Sequence, residues 1–412
     1  MADEPTSLRR QVRRARGKFA AMAGSYSLGV FNDQFYKEAA MLLAVSAGKS
    51  YLQNVALAVF TLPYLIAAAP AGWLADRFPK RTIVIAAKAL EVAAMGVGAV
   101  GILTGSWPMI LTMVATMGLQ SAIFSPSLNG SIPELYPPAY VPVANGVLKM
   151  VVTAMILLGV ASAGYVLDWR GRPAIAVGAL AVALVGLVAS FGVPRRPAAA
   201  PGARFPWTGP AKTFRVLAST RKDPMLAVTI AADAFVWCLG AVQLLLINVL
   251  AIEELGYTKS RASSLKAAEL LGVAVGGLVA GKILSGRRWF RVLAPAATIM
   301  GVSLLLVPAA ARMPTGARFA CLLGLFCGAG LGGGLFMIPC ESFIQVRPAA
   351  DRKGEVIAAA NFVVFAGILL ATPVTQGLYA AMPHSASFAV LGGISLAVAV
   401  ALWRWKPPED EP

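Results

Sequence analysis

Residues 31–44 read FNDQFYKEAAMLLA. Asp33, Lys37 and Glu38 stand there inside an otherwise apolar stretch that runs from about Phe19 to Val45. That stretch is long enough to cross a hydrocarbon core, which takes roughly 20 residues. An ionisable side chain in a lipid-spanning helix costs a few kcal/mol, so such groups face a protein interior or a water-filled cavity and mark a pathway. Asp33 and Lys37 are four apart with the acid first, so they share a helix face and pair favourably. Two readings stay open at this point: a self-neutralising pair that only orients the helix, and a charged lining of a central cavity.

Composition extends the membrane reading to the whole chain. Of its 412 residues, 58% are hydrophobic and 13% charged, with a mean hydropathy of +0.71. Apolar segments of spanning length fall at about 20–45, 52–75, 82–104, 107–127, 142–166 and 173–193. After a gap, six more follow at about 225–252, 262–285, 289–311, 318–340, 354–378 and 385–405. The predicted fold is an all-α membrane protein of 12 transmembrane helices in two six-helix halves. The predicted organisation is a basic N-terminal segment at 1–18, an N-terminal half at 19–193, a linker at 194–224, a C-terminal half at 225–405 and a tail at 406–412. The linker is rich in Pro, Ala and Lys/Arg, which suits an amphipathic or irregular connector.

A net charge of +17 suggests nucleic acid only until the basic residues are placed. With the N-terminus in the cytoplasm, 25 of the 36 Lys/Arg fall on the cytoplasmic side and 7 on the other. The remaining four, Lys37, Lys88, Lys149 and Lys266, fall inside predicted spans. That asymmetry sets topology: both termini cytoplasmic, with no surface for nucleic acid. The basic N-terminus leads into a full-length span with polar interruptions, unlike a cleaved signal peptide. Cys238, Cys321, Cys327 and Cys340 lack paired spacing and accompanying histidines, so buried free thiols are expected and no metal site.

The two halves echo one another, as internal repeats do in secondary transporters. Asp33 corresponds to Asp233, GWLADRFPKR at 72–81 to GLVAGKILSGRR at 277–288, and SPSLNG after Phe124 to IPCESF after Met337. The offsets of 200, 205 and 213 drift slowly, as two diverged copies with small insertions would.

GWLADRFPKR resembles the signature loop between the second and third helices of the major facilitator superfamily, at Gly72, Leu74, Ala75, Asp76, Arg77, Lys80 and Arg81. By that resemblance Gly72, Asp76, Arg77 and Arg81 are gating residues. Gly72 would permit close helix packing, and Asp76 would meet the positive N-terminal end of a helix in the opposite half. Pro79 replaces the usual glycine, and Gly281 stands where the second copy would carry its acid, which makes the latch one-sided. The plainer alternative is a solvated basic loop that enforces topology.

FNDQFYKEAAMLLA and GLQSAIFSPSLNGSIPELYPPAYVPVANGVLK at 118–149 resemble a narrower group. They are similar to the bacterial lysophospholipid transporters and to the transporter half of the bifunctional lysophospholipid acyltransferase proteins. The likeness continues more thinly through GGLFMIPCESFIQV at 333–346 and Asn361. It implies import or flipping of lysophospholipid across the bacterial inner membrane. Residues carried over are Asn32, Asp33, Lys37, Lys88, Glu91, Pro126, Pro133, Asn145 and Gly146. Three positions depart from the pattern: Leu128 replaces a lysine, Lys149 an acid, and Gln243 a frequent arginine.

The candidate substrate-binding and translocation residues are therefore Asn32, Asp33, Lys37, Lys88, Glu91, Lys149, Asp233 and Gln243. Lys88 with Glu91, and Lys266 with Glu269, are spaced three apart and neutralise each other, for which packing or snorkelling to the headgroups serves as well as substrate contact. Lys149 has no acid at helical spacing on its own segment, so its cation needs a partner across the bundle or an anionic ligand. Glycines crowd the tenth span (Gly324, Gly328, Gly330, Gly332, Gly333, Gly334) and recur at Gly272, Gly276 and Gly281 in the eighth. They favour close packing, with bending during exchange as a secondary reading.

An enzyme is not expected, although fused relatives carry acyltransferase chemistry. His384 is the single histidine and no acid follows it at HxxxxD spacing. There is no GxSxG elbow and no GxxxxGK[ST] phosphate loop, so neither catalytic residues nor a cofactor are expected. The expected function is an alternating-access carrier holding a zwitterionic or anionic headgroup near Asp33, Lys37 and Lys149, with carboxylates at Asp33 or Asp233 as the candidate proton carriers. The alternative is a carrier or exporter of another small amphipathic or polar solute. Expected partners are a lipid or other small-molecule substrate, membrane lipids and functional coupling to a separate acyltransferase, with the chain acting as a monomer.

Overall fold

In the computed structural model every regular element among the described residues is helical. The structure describes the chain apart from residues 1–3, 138–139, 199, 203, 206, 208, 284–288, 350–351 and 406–412, and apart from side chains at some further positions including 4–11, 128–130, 133–134 and 282–283. The expected tail, the end of the second-half repeat and the side chains of Leu128 and Pro133 thus lie outside the described residues.

The helices are α1 (Glu4–Ser46), α2 (Tyr51–Arg77), α3 (Lys80–Thr104), α4 (Trp107–Leu135), α5 (Val141–Ser190), α6 (Gly209–Thr220) and α7 (Pro224–Val249). They continue as α8 (Lys259–Ile283), α9 (Leu293–Leu305), α10 (Val307–Ala311), α11 (Thr315–Val346), α12 (Lys353–Ala381) and α13 (His384–Arg404). A π-helical turn, Leu250–Glu254, extends α7, and a 3₁₀ turn, Trp289–Val292, leads into α9. Nine helical stretches among the described residues are long and apolar enough to cross a membrane, or ten if the two segments of α2, Tyr51–Ala67 and Ala69–Arg77, are one bent span.

Two helices are longer than a single span. The 50 residues of α5 would extend about 75 Å at 1.5 Å per residue, over twice a hydrocarbon core of about 30 Å. It breaks at Gly171, where φ is 71° and ψ −168°, a region of backbone space open essentially to glycine alone. Pro173 follows two residues later and sets the start of the second segment. α1 is 43 residues long, and its basic first half is too polar to lie in lipid. The linker, too, is partly regular: α6 forms within it.

The chain divides into two compact units, one made of residues Met1–Ala40 and Val59–Trp207, the other of Met41–Ala58 and Thr208–Pro412. In the first, α3 packs on α4 and α5, and the helices touch through glycine. A Cβ on Gly159 of α5 would stand 2.7 Å from the Phe31 carbonyl oxygen of α1. Below that crossing, Phe124, Ile132, Tyr136, Ala144 and Leu148 are buried with Met22 and Val84 in one apolar cluster.

In the second unit α11 lies against α8 and α9, and α12 against α7. Gly272 and Gly276 of α8 meet the backbone of Cys327 and Leu331, while Gly330 and Gly334 of α11 meet that of Glu269 and Val273. This is a reciprocal pair of four-residue glycine spacings, and it fits the close-packing reading of those glycines. Gly281 and Gly324 have nothing within 4 Å of a Cβ, so they take no part. Val216 of α6 is buried against Leu226, Ile230, Ile344 and Val356. Arg352 donates to Ser219 at 2.7 Å, and Arg347 to Asp223, the N-cap of α7, at 2.8 Å. The four cysteines are free thiols; Cys340 is buried and the others half-buried.

Candidate functional site

Tyr26, Gly29, Asp33 and Lys37 recur on α1 at intervals of three and four, which places them in one stripe along the helix. Within the first unit that stripe faces a cavity of about 180 Å3. Asp33 and Lys88 supply its charges, Gln34, Gln120 and Ser121 its neutral polar groups, and Tyr26, Phe60, Tyr64 and Phe124 its aromatic wall.

Asp33 is 7% exposed. Its Oδ2 accepts a hydrogen bond from the Ser121 hydroxyl at 2.7 Å, while its Oδ1 is enclosed and has no hydrogen-bond partner among the described residues. The charges of Glu91, Lys37 and Lys88 all act on this carboxylate. A buried acceptor without a partner is costly, so this oxygen is suited to meet a donor brought by a ligand.

Lys88 is 1% exposed and Glu91 fully buried. The Lys88 ammonium donates to Glu91 Oε2 at 2.6 Å and lies 5.6 Å from the centre of the Phe124 ring. A Cβ on Gly29 would stand 2.6 Å from Lys88 Nζ, and one on Gly186 3.3 Å from it. The lysine stem therefore runs through space that α1 and α5 leave by carrying no side chain. Asn32 closes the group behind the cavity: its Nδ2 donates to Glu91 Oε1 at 3.3 Å and to the Ala179 carbonyl at 3.0 Å. Full burial removes the snorkelling reading of this pair, since neither head reaches a surface. The Lys37 ammonium sits 4.3 Å from the centre of the Phe60 ring, a cation–π arrangement on a ring that also lines the cavity.

Five expected residues thus gather in one place: Asp33 and Lys88 line the cavity, Asn32 and Glu91 brace it, and Lys37 rests on its wall. Lys149 is exposed on α5 and does not line the cavity. In the second unit Asp233 is 4% and Gln243 3% exposed. Asp233 Oδ1 and Gln243 Oε1 are enclosed without hydrogen-bond partners among the described residues, and the Glu341 charge acts on Asp233. Lys266 and Glu269 are buried as well.

The stretch at 72–81, expected as a loop, is the end of α2, the start of α3 and the two residues between them, and it grips the chain that follows α5. The Asp76 carbonyl accepts from the Ala200 amide at 2.8 Å, Arg77 donates to the Pro201 carbonyl at 3.2 Å and Arg81 to that of Phe191 at 3.0 Å. Gly72 departs from expectation: a Cβ there would meet nothing within 4 Å, so no close helix approach is made at it.

Sequence reasoning passed over Tyr26, Tyr64, Gln120 and Ser121. The signal for the last two lay in GLQS at 118–121, where Gly118 lets α4 approach the Phe60 backbone. It also passed over a polar cluster in the second unit. There Gln53 Nε2 donates to the Leu245 carbonyl at 3.2 Å and to Tyr379 at 2.7 Å, and Asn248 donates to Gln53 Oε1 at 3.2 Å. Asn54 Nδ2 bonds Gln376 at 3.0 Å.

Comparison with known proteins agrees with this architecture. The family model described as Major Facilitator Superfamily matches residues 17–372 and 237–412. A lysophospholipid transporter LplT from Enterobacter sp. (strain 638) is 28% identical over 408 residues, covering 95% of this chain and 96% of that protein. The protein of the same name from Escherichia coli (strain SE11) is 25% identical over 392 residues, with 92% and 90% covered. Among solved structures, a POT family transporter in complex with 5-aminolevulinic acid superposes with a TM-score of 0.72 at 12% identity, covering 93% of this chain and 95% of that one. The xylose transporter XylE from E. coli, in an inward open conformation, gives 0.68 at 14% identity, with 95% and 97% covered. These structures share the fold.

Proposed function

Because the chain belongs to the major facilitator superfamily, a family of multi-pass membrane transporters, we propose that it moves lysophospholipid across the bacterial inner membrane by alternating access. The observation that carries this reading is the cavity in which Asp33 offers an unpartnered carboxylate oxygen beside the Lys88 ammonium. A headgroup with an ammonium and a phosphate presents the matching pair of charges, and the aromatic wall suits the ammonium end. The cavity, at about 180 Å3, is smaller than the about 300–1,000 Å3 of sites that enclose whole drug-sized ligands. It takes a headgroup and leaves the acyl chain outside. The names of the relatives, similar over more than nine-tenths of the chain, support the same substrate class.

In this reading α5 counts as two spans parted at Gly171, and α1 and the bent α2 cross once each, which brings the total to twelve. Both termini lie in the cytoplasm and the chain works as a monomer, without enzymatic activity, alongside a separate acyltransferase that consumes the delivered lipid. Asp33 in one half and Asp233 in the other are the carboxylates available for proton coupling, and Lys37, Lys149 and Gln243 border the path. Gly72, Asp76, Arg77 and Arg81 act at the cytoplasmic gate.

Proteoliposomes offered lysophosphatidylethanolamine, sugars and cationic drugs in parallel test the proposal. Protein-dependent uptake of the lysolipid alone is expected. Uptake of a sugar or a drug without the lysolipid would assign a different solute. Loss of uptake on adding a protonophore would establish coupling, and unchanged uptake would exclude it.

A further inference from the structure

A second cavity of about 440 Å3 opens in the first unit at the N-terminal end of α3. Arg81, Arg195 and Arg196 line it together with Pro79, Thr82, Ile85 and Pro197, and among the described residues no carboxylate does. Three cationic residues lining one space repel each other unless an anion joins them. Arg81 is anchored through Nη2 to the Phe191 carbonyl at 3.0 Å, while its Nε is enclosed with no hydrogen-bond partner among the described residues. The amide hydrogens of the first turn of a 25-residue helix add positive potential at the same place.

The level of this cavity in the bilayer is marked independently. Trp73 packs edge-on to Phe205 at 5.3 Å and to Phe78 at 6.0 Å, and Phe205 meets Trp207 at 4.7 Å. Trp207 is 84% exposed. The Ala200 and Pro201 hydrogen bonds tie this aromatic group to the loop that precedes Arg81. Exposed tryptophans of this kind lie at the headgroup level of a bilayer, and basic pockets between transmembrane helices take anionic headgroups.

We propose that Arg81, Arg195 and Arg196 form a site for the phosphate of an anionic membrane phospholipid, separate from the cavity at Asp33. A phosphodiester matches the planar, forked donors of arginine. A lipid held there fastens the chain after α5 to the loop at 72–81.

The test uses the purified full-length protein in mild detergent, equilibrated with phosphatidylglycerol or phosphatidylcholine, with retained lipid measured by native mass spectrometry. The wild type is expected to keep phosphatidylglycerol in preference. R195Q/R196Q, at two exposed positions, is expected to weaken that retention by about tenfold or more, with an unchanged melting temperature. R195K/R196K should recover part of it. Equal retention of phosphatidylglycerol by the wild type and R195Q/R196Q would overturn the site. Displacement of the lipid by inorganic phosphate at millimolar concentration would overturn the lipid assignment in favour of a soluble anion. D33N should leave the retention unchanged, so failure of the transport reading and failure of this one are read out separately.

Discussion

The Lys88 ammonium and the Glu91 carboxylate lie 2.6 Å apart on one face of α3, with 1% and 0% of their side chains exposed. Removing one partner of a buried pair leaves an uncompensated charge and costs about 3–5 kcal/mol, whereas replacing both with apolar groups is often neutral. Lys88→Met and Glu91→Leu should each therefore lower the melting temperature of the detergent-purified protein sharply. The double variant should lie closer to the wild type than either single one, yet transport poorly, because Lys88 also lines the cavity. Thermal unfolding of the three variants beside uptake assays checks both halves of this expectation.

The Ser121 hydroxyl holds one oxygen of Asp33. A hydrogen bond to a charged group contributes about 1.5–3 kcal/mol. Ser121→Ala is expected to reduce transport efficiency by about 10–100-fold and to lower the melting temperature, and Ser121→Thr, which keeps the hydroxyl, to retain most of both. Concentration-dependent uptake rates distinguish the two variants.

Charge made part of this site legible in advance. Asp33, Lys88 and Glu91 stand out because ionisable groups in apolar helices demand a reason. Ser121 and Tyr64 do not, since a serine or tyrosine in such a helix is compositionally ordinary and acquires meaning only once α2 and α4 are packed. Lys149 stands out by the absence of an acid nearby on α5, but spacing along one helix does not give the rotational setting of α5, which leaves the residue exposed and outside this cavity. The glycines of α8 and α11 were readable as packing residues. Which of them make contact followed from the crossing itself, and Gly281 and Gly324 fell outside it.

That crossing gives a direct contrast. A Cβ at Gly334 would run into the Val273 backbone of α8, while one at Gly324 meets nothing within 4 Å. Gly334→Val should lower folded yield and melting temperature, by an amount comparable to other overpacked sites, about 1–3 kcal/mol or more. Gly324→Ala should be neutral or slightly stabilising through helix propensity. Fluorescence size-exclusion profiles and thermal melts of the pair measure it.

Gly171, at φ 71° and ψ −168°, holds the break in α5. Any L-residue there is strained by about 1–3 kcal/mol. Gly171→Ala is expected to destabilise the protein by that order, whereas Gly178→Ala, inside the following helical segment with only ordinary contacts to Phe35, should not. Thermal melts of both variants in the same detergent provide the comparison.

Transport through the cavity at Asp33 is tested most directly by lysophosphatidylethanolamine uptake into proteoliposomes holding equal amounts of wild-type protein and Asp33→Asn. The variant keeps the size and the Ser121 neighbour of the native side chain but removes its charge. Uptake should fall to the level of protein-free vesicles while the melting temperature stays near that of the wild type. Undiminished uptake by the variant would contradict a substrate path through this carboxylate.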